Sequence, residues 1–302
     1  MSNTFTTTGN DILLNVALEG FTSVLAPFRA FSVNASPEPA QRGDYVKVLF
    51  VDNPATAATD FSSSYSIQAA EATGKRVQLN NHKYVSWGIT DTEMANNPQI
   101  ELERFAFTKG AALAKAVFQD VLSLATYANY GTSALVSSAA NFDADDLATL
   151  RGVAGNADWP DVGRSLLLSP DYITYLLQDS AIQSASNLGD AMAIREGKVG
   201  RLMGFDIFET PHIPDNDQSL AGVMCVPDGI LFANRYLAPQ EGNSYTEARP
   251  VSDPKTGLTI GWRKWYDPDS AQMRAVLECN YGYAVGNSAG LERIASTATV
   301  YS

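Results

Sequence analysis

Cysteine and histidine are almost missing from this chain: 302 residues hold two of each, Cys225 and Cys279, His82 and His212. With no CxxC pair and no second ligand at metal spacing, a disulfide scaffold and a clustered zinc site are excluded. No Lys/Arg-rich run occurs, and the formal charge of −12 argues against a surface that grips phosphate backbones along its length. Apolar runs of membrane-spanning length are also missing. The first basic residue, Arg29, comes after Asp11 and Glu19, so no signal peptide is read and the expected product is soluble and cytoplasmic. There is no internal repeat and no low-complexity tract beyond one Ala/Ser/Thr-rich stretch. What is present, 45% hydrophobic and 18% charged residues, is the make-up of a folded chain with core enough for one large or two ordinary domains.

The strongest pattern runs from Asn97 to Gly131. Asn97 can cap the first turn, Pro98 suits the first helical position and Gly131 supplies a stop, which together predict one helix over Gln99 to Gly131. At about 1.5 Å per residue this rod spans roughly 50 Å. Glu101, Arg104, Thr108, Lys115, Gln119 and Thr126 fall on one narrow stripe. The rest of the circumference is mostly apolar, so the helix must be covered from several directions.

Upstream, DILLNVALEGFTSVL predicts a short helix with Asp11 as its cap. Ile12, Leu13, Val16, Leu18 and Phe21 give it an apolar face that needs something to lie against. The following SVNASPEPAQRGD looks like a linker. YVKVLFV from Tyr45 and VQLNNHKYVSWGI from Val77 to Ile89 are β-branched and aromatic, and read as two strands. The long, polar connection between them carries few large apolar groups, Phe61, Tyr65 and Ile67. A two-stranded arm of this kind cannot satisfy its own edges and calls for a partner surface, most simply another copy of the chain. After a boundary near Ala134, the pattern predicts a helix capped by Asp143, a buried strand at Ser165 to Leu168, and a helix with Ser169 as cap and Pro170 in its first turn. Strand-like runs then follow: Phe205 to Glu209 ended by Pro211 and Pro214, VMCVPDGILFANRYLAP, and a β return around a turn at Asp267 to Asp269.

Several patterns invite chemistry. Gly286, Asn287, Ser288, Ala289 and Gly290 match G-x-S-x-G, but that nucleophile elbow needs its histidine downstream and none follows Ser288, so a turn is predicted there. An α/β hydrolase using Ser288 or His212 in another chain order is the rival from a different class. Lys198 sits among glycines, yet Val199 occupies the hydroxyl position a phosphate loop requires. Asp143, Asp145 and Asp146 resemble the start of a calcium loop without its sixth-position glycine, and are read as a helix cap. His82 and His212 are read as hydrogen-bonded or exposed imidazoles. Trp262, Arg263, Lys264 and Trp265 interleave aromatic and basic groups as nucleic-acid binders do; in so acidic a chain a packed strand with solvated cations is expected instead. No catalytic, cofactor-binding or metal-ligating residue is expected, and no enzyme.

The order of parts carries more than any motif. An N-terminal arm, a long two-stranded loop, a long helix, an α/β region ending in GKVGRLMGFDIFETPHIP and a final β run RAVLECNYGYAVGNSAGLERI resemble a tailed-bacteriophage major capsid protein of the Hong Kong 97 fold. The chain is most similar to coat proteins of short-tailed phages, and Val77 to Met94 and Glu196 to Pro214 are the most specific pieces.

The resemblance implies an α+β Hong Kong 97-like capsid fold: an arm at 1–42, an extended β-hairpin loop at 43–90, a spine helix of a peripheral domain within 91–133 and running Pro98 to Tyr130, a mainly axial domain at 134–266, and a C-terminal β return to the peripheral domain at 267–302. It implies hexamers and pentamers closing an icosahedral shell around double-stranded DNA without sequence-specific contact, a separate scaffolding protein, a portal protein, no membrane, and a place in the virion after assembly in the host cytoplasm. The inter-subunit contacts expected are Ile12, Leu13, Val16 and Phe21 in the arm and Phe61, Tyr65, Ile67, Lys75 and Arg76 in the loop. Certain relatives cross-link a loop lysine to a neighbour's asparagine. Lys75 is suitably placed but no asparagine or catalytic acid can be matched, so Lys75 and Arg76 are read as solvated or salt-bridging charges. An encapsulin-like compartment, which shares the fold and encloses a cargo enzyme, is the nearest alternative.

Overall fold

A computed structural model describes residues 8–34, 45–51, 72–96, 99–180, 182, 200–214, 216–240, 245–253 and 256–297. In chain order the elements are α1 (Thr8–Val24), α2 (Phe28–Phe31), β1 (Ser32–Asn34), β2 (Tyr45–Val51), β3 (Ala72–Gln78), β4 (Asn81–Thr90), α3 (Asp91–Asn96), α4 (Gln99–Leu122) and α5 (Tyr127–Tyr130). They continue with β5 (Leu135–Val136), α6 (Ala144–Asn156), β6 (Ser165–Leu168), α7 (Pro170–Gln178), β7 (Arg201–Leu202), β8 (Phe205–Glu209), β9 (Leu220–Cys225) and β10 (Ile230–Arg235). The last are β11 (Glu247–Ser252), β12 (Thr259–Asp267), β13 (Gln272–Val285) and β14 (Leu291–Ala295).

Two six-stranded sheets organise the chain. In the first, the long β13 is central: β12 pairs along Gln272 to Glu278, β4 pairs along the opposite edge from Gln272 to Tyr281, and β10 takes the far end from Asn280 to Val285, with β1 and β11 outermost. β10 shows why its run is apolar from Ile230 to Ala233, because both faces are covered there. Ile230 and Phe232 enter the core beneath α1, α2 and α4, while Leu231 and Ala233 face Val46, Val48 and Val77 of the β2–β3 hairpin. Phe28 packs edge-on to Phe232 at 4.9 Å and Phe31 edge-on to Phe118 at 5.6 Å, locking α2 between sheet and helix.

The second sheet runs β5-β14-β9-β6-β8-β7 and packs with α6 and α7 around Leu147, Leu150, Leu166, Leu168, Tyr172 and Phe205. Sheet membership therefore divides the chain differently from the expected boundaries at 133/134 and 266/267. β10, β11 and β12 sit with β4 in the first sheet, whereas β14, near the C-terminus, crosses to the second and pairs with β9.

Two elements differ from expectation. The spine helix stops at Leu122 instead of running on to Tyr130. The Ser123 hydroxyl donates to the Asp120 carbonyl at 2.6 Å, and the carbonyls of Leu124 and Ala125 accept from the side-chain amides of Asn129 and Asn216, both at 2.8 Å. Side chains thus take over backbone bonds that a continuous helix would make, and α5 restarts for one turn before Gly131 at φ 77°. The run Val77 to Ile89, expected as one strand, is two: β3 pairs with β2, and β4 leaves the hairpin to pair with β13. Asn97 and Pro98 lie outside the described residues, as do Lys198 and Gly197.

α1 starts at Thr8, ahead of Asp11, and its apolar face is met within the chain. It crosses α4 so closely that a Cβ on Gly20 would collide with the Phe107 carbonyl oxygen and one on Gly110 with the Ala17 carbonyl oxygen. Leu14, Ala17 and Phe21 are buried there against Ala106, Leu113, Ala114 and Val117.

Candidate functional site

Most of the sequence patterns that suggested chemistry fall on described residues. Asp143 caps α6, its carboxylate accepting from the Asp145 and Asp146 amides at 3.0 and 3.1 Å. Gly286 to Gly290 form the turn between β13 and β14; Ser288 is exposed, and among the described residues no hydrogen bond joins it to either histidine. Trp262 is 1% exposed and Arg263 pairs with Glu278 at 2.6 Å, so neither is free to meet a base or phosphate. Trp265 is half-buried, edge-on to Tyr245 at 5.5 Å. Burial also holds the Lys264 ammonium below its ordinary pKa. Among the described residues no group of three or more His, Cys, Asp or Glu gathers to hold a metal, and no helix is long and apolar enough to cross a membrane. Both cysteines are buried in the reduced form, and burial pushes the Cys279 thiol up to about 12.

His82 in β4 lies 3.2 Å from Glu278. His212 lines a cavity of about 540 Å³ between the end of α1, α7 and β8, where burial first and the charge of Lys115 second hold its pKa below the ordinary histidine value.

The polar machinery of the described structure joins elements to one another. Asp120 on α4 accepts from Lys83 of β4 at 2.7 Å and from the Tyr281 hydroxyl of β13 at 2.5 Å, fastening the spine helix to the sheet. Burial and the Asp120 carboxylate push the Tyr281 phenol far up, so it stays a donor. Arg164, 6% exposed, ties the loop 159–164 together by donating to the Pro160 carbonyl at 2.8 Å and the Trp159 carbonyl at 2.5 Å.

Of the residues expected at subunit contacts, Phe21 is fully buried in this chain's own core and Val16 is half-buried on α1. The backbones of Ile12 and Leu13 lie in α1, and their side chains fall outside the described set. Phe61, Tyr65 and Ile67 lie outside the described residues altogether. Arg76 is exposed on the outer face of the hairpin, its guanidinium 5.0 Å from the centre of the Tyr45 ring. Lys75, expected as a solvated or salt-bridging charge, is half-buried on the inner face and donates to the Gly286 carbonyl. Val46, Val48 and Val77 bury the hairpin's base on β10 and β13, while its opposite end continues into residues 52–71.

No family model matches the sequence, and no curated protein matches it. Solved structures do. A chain of Mycobacterium phage Che8 is similar over 86% of this chain and 87% of its own, at 20% identity and TM-score 0.57. The capsid of Cyanophage P-SCSP1u is similar over 89% of this chain and 87% of its own, at 15% identity and TM-score 0.59. This chain has the Hong Kong 97-like capsid fold. A virus-like particle from Pyrococcus furiosus has a similar chain as well, at 11% identity and TM-score 0.50, covering 94% of this chain and 98% of its own. Large apolar side chains such as Tyr84 and Phe105 are left 65% and 59% exposed on the surface of this chain.

Proposed function

We propose that this chain is a viral structural protein, a major capsid subunit that self-assembles through hexamers and pentamers into an icosahedral shell enclosing double-stranded DNA. The observation that carries the reading is a Hong Kong 97-like capsid fold matched over 86% and 89% of the chain. The two-stranded β2–β3 pairing supports it, since a two-stranded arm calls for an outside surface to lie on. Phe61, Tyr65, Ile67 and Arg76 are the contacts proposed for the neighbour. The formal charge of −12 suits a container wall, because a wall that bound DNA tightly everywhere would hinder its packing. A scaffolding protein and a portal are the further partners in this reading, and the virion is its location.

The Pyrococcus furiosus particle shares the fold at lower similarity, so contents must separate a DNA shell from a protein-filled compartment. The test is electron microscopy with size-exclusion chromatography on the protein expressed alone and with neighbouring phage genes, followed by analysis of nuclease-treated particles. Closed shells protecting DNA are expected, and deleting residues 61–73 is expected to leave a soluble folded subunit that closes no stable shell. A sharp monomer or dimer under both conditions overturns the reading, and shells filled with a cargo protein transfer it to the compartment.

A further inference from the structure

The β2–β3 hairpin carries a charge on the wrong face. Strand alternation puts Val46, Val48, Lys75 and Val77 on the side turned to the main sheet, and Tyr45, Lys47, Gly74 and Arg76 on the other, as the register Val46 with Val77 and Val48 with Lys75 requires. Three of those four inner positions are valines that pack on or against Leu231 and Ala233. The fourth is a half-buried lysine whose ammonium donates to the Gly286 carbonyl. An apolar residue there would extend the valine seam, so the lysine has a use that packing alone does not supply.

Its acceptor is unusually well held. Gly286 follows β13 and donates its own N–H to the Gly229 carbonyl at 3.0 Å, and a Cβ at Gly286 would collide with the Asp228 carbonyl oxygen. Asn287 N–H bonds the Asp228 carbonyl at 2.9 Å, and the Trp159 indole donates to the Ala289 carbonyl at 2.7 Å, which adds the loop organised by Arg164. Three turns, 158–164, 226–229 and 286–290, are thereby clamped where the two sheets meet. The hairpin's near end is fixed as well, since Gly282 lets the Gln78 carbonyl pass where any side chain would collide. The far end continues into the extended loop.

We propose that Lys75 is an indexing pin. By bonding Gly286 it sets the angle at which the hairpin leaves the body and couples that angle to the junction of the two sheets, and so determines which point of a neighbouring subunit the loop reaches. This rests on the shell reading above. The Gln78 crossing and the valine contacts hold the hairpin's near end and base, and the Lys75 bond adds the polar anchor that ties it to the junction of the sheets; without that bond its direction is held by apolar contacts alone.

The experiment uses the full chain as wild type, Lys75→Met and Lys75→Arg. Methionine keeps the length and apolar stem without the donor, and arginine restores a cationic donor. Hydrogen exchange on the unassembled subunit is read first. Amides of β2 and β3 are expected to exchange about tenfold faster in Lys75→Met, with β4 and β13 amides unchanged, and to recover in Lys75→Arg; that is a local opening change of about 1.4 kcal/mol by the tenfold conversion. Particles are read second, where Lys75→Met is expected to give tubes and open sheets or a broadened diameter distribution, and Lys75→Arg closed shells. Unchanged β2–β3 exchange in Lys75→Met overturns the pin whether or not shells form. Faster exchange with shells of wild-type size and uniformity overturns its role in directing assembly. Wild-type protein that forms no shell under any condition overturns the shell reading instead, and leaves the exchange result to decide the pin.

Discussion

His212 shows how little of a residue's behaviour its identity settles. Two histidines occur, and each had the same expectation, a hydrogen-bonded or exposed ring. His82 sits beside Glu278, while His212 lines an apolar-walled cavity with Lys115 close enough to oppose its protonation. Its folded pKa is therefore below the unfolded value, so between the two the unfolded state binds more protons and stability rises with pH. Conversely, stability is lost as pH falls through the ordinary histidine range. Replacing His212 by Gln is expected to shrink the drop in melting temperature between pH 7 and pH 5 relative to wild type; equal drops in the two proteins would show that the ring is not desolvated. At the same residue scale, the G-x-S-x-G run forms a turn in which Gly286 is used for close approach to Asp228 and Ser288 faces solvent.

At the scale of elements, the helix pair α1 and α4 shows glycine used for contact. Gly110 lies inside a helix, where alanine would ordinarily be favoured by about 1 kcal/mol. Here a Cβ meets the Ala17 backbone of α1, which cannot move aside as a side-chain tip can. Gly152 in α6 is a matched control, with nothing within 4 Å of its added Cβ. Gly110→Ala is expected to lower stability by about 1–3 kcal/mol, the usual cost of overpacking, while Gly152→Ala raises it by about 0.5–1 kcal/mol, both read from denaturant midpoints. A stabilised Gly110→Ala would mean that the two helices do not cross as described. The premature end of α4 belongs to this scale too. Ser123, Asn129 and Asn216 redirect three backbone groups, and Asn216 comes from a loop far along the chain, so helical periodicity alone had no access to it.

For the whole molecule, charge sets the terms of association. Subunits of formal charge −12 repel one another on approach, and apolar surface such as Tyr84 and Phe105 supplies attraction that is insensitive to salt. Raising ionic strength from about 0.1 M to about 1 M shortens the screening length from about 10 Å to about 3 Å. Assembly yield of the purified subunit, followed by light scattering, is expected to rise over that range. A yield that falls with salt would show that attractive ion pairs between subunits dominate the interfaces, against the reading of apolar contacts.

What the sequence determined by itself is what depends on neighbours along the chain. Runs of apolar, β-branched and aromatic residues placed β2, β6, β8 and β13, the Asp143 cap and Pro170 placed the starts of α6 and α7, and the order of parts pointed to the Hong Kong 97-like fold because that order survives when identity falls to 20% or less. The tertiary structure alone decided whatever depends on which distant groups meet. It separated β4 from the hairpin because β13 offers a longer edge, and it buried Phe21 on the chain's own spine helix. It also gave Lys75 a carbonyl at Gly286, and sent β14 to the second sheet. Those outcomes rest on backbone edges and close approaches between segments up to 211 residues apart, and no local pattern of side chains encodes them.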